Sequence, residues 1–125
     1  SQYAAVIPAF IGRISQDLSP IVFGNGEQSR DFIFIEDVVK ANIVAAESEA
    51  EGIYNIGSGK SVTINQLAKA ILSFMQENLP LIHDKPRPGD PRHTLADISK
   101  AKSFGYEPEW TLEDGLRKII EEFKQ

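Results

Sequence analysis

The chain has 125 residues, of which 42% are hydrophobic and 25% charged, a net charge of −5 and no cysteine. That length suits one domain with a single core, and the acidic balance argues against bulk attraction to nucleic acid or an anionic membrane. The lack of cysteine removes disulfides, a thiolate nucleophile and Cys-based zinc sites. Ser1-Gln2-Tyr3 carries no basic n-region, and no apolar run approaches the roughly 20 residues of a membrane span. The expectation is a soluble cytoplasmic protein.

In chain order, Val6, Ile7, Phe10, Ile11, Ile14 and Leu18 fall at helical spacing, which predicts a helix from about Pro8 to Leu18. Ile21-Val22-Phe23 reads as a short strand closed by Gly24-Asn25-Gly26. Phe32-Ile33-Phe34-Ile35 is apolar without alternation, the pattern of a strand buried on both faces. Asp37 can cap a helix through about Glu47, with Val38, Val39 and Ala45 inward. Ile53–Ile56 is a further short strand ending at Gly57-Ser58-Gly59. Thr63-x-x-Gln66 forms a capping box before Ile64, Leu67, Ile71 and Phe74, an amphipathic helix. Leu81-Ile82-His83 is extended, and Asp97 caps a short helix that stops at Gly105. Thr111-x-x-Asp114 opens the last helix, whose stripe is Leu112, Leu116, Ile119, Ile120 and Phe123. Few short strands joined by helices give an α/β class. The Phe32–Ile35 strand needs cover on both faces, so either it has a small core of its own or its neighbours lie outside this chain.

Most residue patterns point to no chemistry. Gly24-x-Gly26 and Gly57-x-Gly59 lack the third glycine of a dinucleotide fingerprint, because Ser29 and Val62 stand in its place. His83 and His93 have no partner at metal-ligand spacing. Gly57-Ser58-Gly59 is too short for a nucleophile elbow, and Glu36-Asp37 and Glu121-Glu122 suit solvated helix faces. The segment Lys85-Pro86-Arg87-Pro88-Gly89-Asp90-Pro91-Arg92-His93 is different, since it puts three cations and a histidine among three prolines in an acidic chain. Pro86 and Pro88 fix φ and limit the freedom of Arg87. A second arginine, Arg30, lies between the Gly24–Gly26 turn and the apolar run. Two held guanidinium forks suit a diphosphate, and Asp90 could accept from a sugar hydroxyl. Spacing alone leaves surface ion pairs open, Arg30 with Asp31 or Glu27 and Arg87 with Asp84 or Asp90.

Three segments, "FGNGEQSRDFIFIEDVVKA", "YNIGSGKSVTINQLA" and "RPGDPRHTLADISKAK", together resemble the C-terminal part of NAD-dependent nucleotide-sugar epimerases and dehydratases. These are extended short-chain dehydrogenase/reductases, among them UDP-glucose and UDP-N-acetylglucosamine 4-epimerases. The segments "YAAVIPAFI" and "GYEPEWTLEDGLRKIIEEF" resemble the same family, so the likeness runs collinearly through residues 1–125. It implies a small C-terminal substrate-binding lobe with one strand–helix unit that joins a Rossmann sheet lying outside this chain. It also implies that Arg30 and Arg87 contact the diphosphate of a UDP-sugar and that Asp90 binds a ribose hydroxyl. Ile21, Val22 and Phe23 would border the uracil, while Ala5, Val6 and Phe10 begin a helix that closes over the nucleotide. Asn55 matches a substrate-binding residue of the dehydratase relatives, or else tethers its turn.

The family's N-terminal domain carries a Gly-x-x-Gly-x-x-Gly NAD site and a Tyr-x-x-x-Lys pair, in which the tyrosine is the acid/base. Here Tyr3, Tyr54 and Tyr106 are followed four residues later by Ile7, Ser58 and Trp110. The resemblance therefore implies a substrate lobe, its NAD bound by an N-terminal Rossmann domain absent from this chain. The alternatives are a 4,6-dehydratase or decarboxylase lobe, or a free-standing binding module. An isolated lobe is expected to self-associate through Phe32, Ile33 and Phe34.

Overall fold

The computed structural model of the chain describes residues 6–34, 37, 58–89, 92–93, 95, 97–103 and 105–124. The first helix, α1 (Val6–Ser15), buries Ile7, Phe10, Ile11 and Ile14 on one face. Pro8 falls in its first turn, where a missing N–H costs no intrahelical bond. The helix starts two residues before the expected Pro8 and ends three before the expected Leu18. Asp17 takes φ 62°, the Leu18 amide donates to Arg13 O and the Asp17 amide to Ile14 O, both at 3.0 Å. That pair of bonds is a Schellman closure. It swings Leu18 out to 43% exposure, which corrects its expected place in the core.

Two small sheets follow from pairings between distant parts of the chain. Strand β1 (Ile21–Phe23) runs parallel to β4 (Ile82–Asp84), with Val22 opposite His83 and Phe23 opposite Asp84. Strand β2 (Ser29–Arg30) runs antiparallel to β3 (Val62–Thr63). The expected strand at Phe32–Ile35 is not formed across Phe32–Phe34; the pairing sits one step earlier, at Ser29–Arg30. Phe32 packs against the core, and Phe34 meets Trp110 with ring centroids 6.3 Å apart. Phe34 also presses on Gly115, where an added Cβ would come within 1.9 Å of its ring. Both phenylalanines are half-buried, and among the described residues their cover comes from the core cluster, Trp110 and Gly115. The expected Asp37–Glu47 helix beyond Asp37, and the expected Ile53–Ile56 strand, lie outside the described residues.

Helix α2 (Ile64–Phe74) is the centre of the packing, in contact with α1 and α4. Its capping box is present in full: the Gln66 amide donates to Thr63 Oγ1 at 3.0 Å and the Thr63 amide to Gln66 Oε1 at 2.9 Å. Ile64, Leu67, Ala68, Ile71 and Leu72 are buried, and a second Schellman closure at Gln76 (φ 58°) ends the helix. Helix α3 (Ser99–Ser103) is short, entered through Asp97, whose Oδ1 accepts from the Ser99 amide at 3.0 Å. The hydrogen bonds from Ser99 hold the Asp97 carboxyl below its ordinary pKa. Helix α4 (Leu112–Phe123) has Thr111 as its cap. Leu116 and Ile120 are buried, Leu112 and Ile119 lie half-buried against the core, and Phe123 is 51% exposed. The expected stripe therefore holds except at its last member, which is in the final turn. No helix among the described residues is long and apolar enough to cross a membrane.

Two carboxylates tie separate segments together, Asp31 half-buried and Asp37 buried. Asp31 accepts from the amides of Ser58 and Gly59, at 2.9 and 3.0 Å, and from the Ser58 hydroxyl. Asp37, 2% exposed, accepts from the amides of Glu109 and Trp110 at 2.9 and 3.1 Å. Nearby Tyr106 is fully buried, and desolvation, with Asp37 and Asp31 adding negative potential, pushes its hydroxyl up to about 12. A phenol raised in the folded state contributes nothing to pH dependence below about 10, where both states hold the proton. Between about 10 and 12 only the unfolded chain ionises, so stability falls as pH rises. Urea unfolding at pH 9, 10 and 11 is expected to show this decline in the native chain and a shallower one in Tyr106→Phe.

Candidate functional site

Parallel pairing brings the C-terminal ends of β1 and β4 side by side, and the ladder is extended by the Gly24 amide donating to Asp84 O at 2.8 Å. The two loops that leave these ends, 24–28 and 85–89, therefore emerge together. C-terminal ends of parallel strands are a common place for ligands, because the loops there converge. Between them lies a recess of about 290 Å³, lined by Phe23, Gly24, Asn25, Gln28, Pro86, Arg87 and Arg92. The Arg87 guanidinium carbon stands 4.0 Å from the centroid of the Phe23 ring, a cation–π contact. Arg92 donates from Nη1 to Asn25 Oδ1 at 2.9 Å. Two guanidinium groups thus share one small volume, and none of its described lining residues is acidic. In a chain of net charge −5, that is a local reversal of sign suited to an anion.

The loop 24–28 is rigidly mounted. Gln28 is 7% exposed and donates from Nε2 to Phe23 O at 2.8 Å. The first two amides of α2 are turned to the same purpose: Ile64 donates to Gln28 O and Asn65 to Gly26 O, each at 3.0 Å. These are donors that a helix start leaves without intrahelical partners, and here the loop carbonyls supply them. Gly26 has φ +76° and a Cβ there would fall 1.9 Å from Asn65 Oδ1, so both its conformation and the closeness of α2 demand glycine.

The residues expected from sequence divide in their placement. Phe23 and Arg87 meet in the recess. Val22 is fully buried in the core and Ile21 half-buried. Phe10 is 2% exposed and faces the core, with Val6 packed half-buried against it. Ala5, Asn55 and Asp90 lie outside the described residues. Arg30 does not line this recess. It is 2% exposed, donates from Nη1 to Ser29 O and approaches Arg92 O at 3.5 Å. It also borders a second recess of about 310 Å³ with Lys60 and Trp110. Sequence reasoning did not single out Arg92, Asn25 or Gln28. Arg92 was within reach, since it stands in the same proline-bounded basic segment as Arg87, whereas nothing local marks Asn25 as its partner 67 residues away.

The sequence profile of the NAD dependent epimerase/dehydratase family matches residues 1–57. A Methanocaldococcus jannaschii protein provisionally named a UDP-glucose 4-epimerase is 40% identical over 117 residues, 94% of this chain and 38% of its own length. The solved UDP-N-acetylglucosamine 4-epimerase of Methanobrevibacter ruminantium, in complex with UDP-N-acetylmuramic acid, superposes with a TM-score of 0.91 at 42% identity. It covers 99% of this chain, which spans 40% of it. Nearly the whole chain is thus similar in sequence and fold to proteins of the NAD-dependent epimerase/dehydratase family. A UDP-glucuronic acid 4-epimerase variant from Bacillus cereus, solved with a fluorinated UDP-sugar and NAD, superposes at a TM-score of 0.89 with 29% identity. It covers 96% of this chain, which spans 40% of it. The family's relatives of this chain include nucleotide-sugar epimerases, dehydratases and decarboxylases. The chain spans about two fifths of the length of the relatives it matches.

Proposed function

We propose that this chain is the C-terminal substrate-binding lobe of an NAD-dependent UDP-sugar 4-epimerase. The observation that carries the reading is the meeting of Phe23, Arg87 and Arg92 around one recess at the paired ends of β1 and β4. An aromatic face beside a guanidinium fork suits a flat pyrimidine joined to a diphosphate. In this reading Arg87 takes the diphosphate, Ile21, Val22 and Phe23 border the uracil with backbone and ring, and Asp90 accepts from the ribose. Ala5, Val6 and Phe10 begin the helix that closes over the nucleotide, and Asn55 is a substrate-binding residue. Arg30 serves the diphosphate from beneath, its buried guanidinium supporting the Arg92 backbone. NAD, with the acid/base tyrosine, belongs to an N-terminal Rossmann domain in the remainder of a longer protein. A dehydratase or decarboxylase lobe is the second reading, favoured by the relatives of those activities.

Calorimetric titration of the full-length protein with UDP tests the site. Arg87→Ala is expected to weaken binding by about 1.5–3 kcal/mol, the range for hydrogen bonds to charged groups, and Arg30→Ala to weaken it by loosening the Arg92 backbone that it supports. Arg87→Lys is also expected to lose affinity, because an ammonium cannot make the bidentate contact. Unchanged UDP affinity in both alanine variants would refute the diphosphate reading.

A further inference from the structure

Asn65, in the first turn of α2, lies outside the recess and yet is bonded to three parts of its surroundings. Its Nδ2 stands 2.9 Å from Asn25 O and 2.9 Å from Glu27 Oε1, both acceptors only, which fixes the amide's orientation. Its Oδ1 is 3.0 Å from His83 Nε2, so that nitrogen carries the proton and donates. His83 is on β4 opposite Val22, four residues before Arg87. Asn25 is the residue through which these bonds reach the recess. Its Oδ1 accepts from the Glu27 amide at 2.9 Å and from Arg92 Nη1 at 2.9 Å, while its carbonyl is held by Asn65.

The Arg92 backbone is pinned separately, its carbonyl accepting from the Ser29 amide at 2.9 Å, with His93 Nδ1 2.7 Å from Ser29 Oγ. Strand β2 therefore sets where Arg92 starts, and Asn25 sets where its guanidinium points. An arginine side chain left to its own rotamers carries conformational entropy that ligand binding would have to remove. Holding it beforehand lowers that cost.

We propose that Asn65 is a positioning residue for the recess, acting through Asn25 to aim the Arg92 guanidinium at a bound nucleoside diphosphate. The inference rests on the diphosphate reading above and adds Arg92 as a second cation in contact with the ligand. It requires that Asn65 matter only while Arg92 is present.

The test is a double-mutant cycle in the full-length protein, read as the dissociation constant for UDP, with far-UV circular dichroism as the check on folding. Arg92→Ala is expected to raise the constant about tenfold and Asn65→Ala about fivefold, as losses of one charged and one neutral hydrogen bond. The double variant is expected to match Arg92→Ala alone. A further loss in the double variant equal to that of Asn65→Ala would assign Asn65 a merely structural role and overturn the proposal. An unchanged constant in Arg92→Ala would overturn it as well. If Asn65→Ala does not fold, Asn65→Ser, which keeps a helix-compatible first turn while losing the reach to Glu27, enters the same cycle. Arg87→Ala is measured in parallel. Its failure to weaken UDP binding would overturn the recess as the diphosphate site, independently of the outcome for Asn65.

Discussion

The chain on its own is expected to convert no UDP-sugar, with or without added NAD. Acid–base chemistry at a sugar hydroxyl needs a group within hydrogen-bond reach of the proton and a pKa near the working pH. Tyr106, the one tyrosine among the described residues, is fully buried and has its hydroxyl pushed up to about 12, which disqualifies it on both counts. Neither Tyr3 nor Tyr54 is followed by a lysine at the fourth position, and no three-glycine dinucleotide fingerprint occurs in the sequence. What remains is a cationic recess whose described lining includes no tyrosine, histidine or carboxylate. Chromatographic analysis after prolonged incubation with UDP-glucose checks this, and reproducible conversion by the purified chain would contradict it.

Leu67→Ala is expected to remove about 2–5 kcal/mol of folding free energy, the range for deleting a fully buried leucine and leaving its cavity. Leu67 is 0% exposed and stands in α2 within the cluster formed by α1, β1 and α4. Global stabilities are about 5–15 kcal/mol, so one such change approaches the margin for a small domain. Leu18→Ala is the control. That side chain is 43% exposed, and its truncation is expected to change stability by no more than about 0.5 kcal/mol. Urea unfolding of the two variants beside the parent chain separates them, and equal midpoints would contradict the assigned core.

What was legible in the sequence is what is decided locally. The capping box at Thr63 and Gln66 and the cap at Thr111 are settled by side chains three residues from their partners, and both helices begin where those signals stand. The ends of α1 and α2 escaped notice because Asp17 and Gln76 adopt positive φ, where glycine is the usual marker. The strand expected at Phe32–Ile35 shows the limit of reading an apolar run. Phe32 and Phe34 find cover on the core and against Trp110 and Gly115, so their hydrophobicity is used without a ladder. In the site, Phe23 and Arg87 were foreseen through the family resemblance, and they do meet. The burial of Arg30 and the link from Arg92 to Asn25 were not foreseen, since they bring together residues 62 and 67 positions apart in the chain.

The parallel pairing of β1 with β4 also bears on the order of folding. Its partners, like Arg92 and Asn25, which are 67 residues apart, can meet only after a long stretch of chain has been closed. The entropy of that closure precedes any reward from the contacts it permits. Helix α2, bounded by its own caps, needs no such closure. Contact order therefore predicts the recess as a late product of folding, assembled when the two strand ends are brought onto a helix formed earlier. Under the function proposed above, a nucleotide would have nothing to grip in the earlier states and could not template them. Its expected stabilising effect would fall on the completed fold alone and grow with the logarithm of its concentration above the dissociation constant.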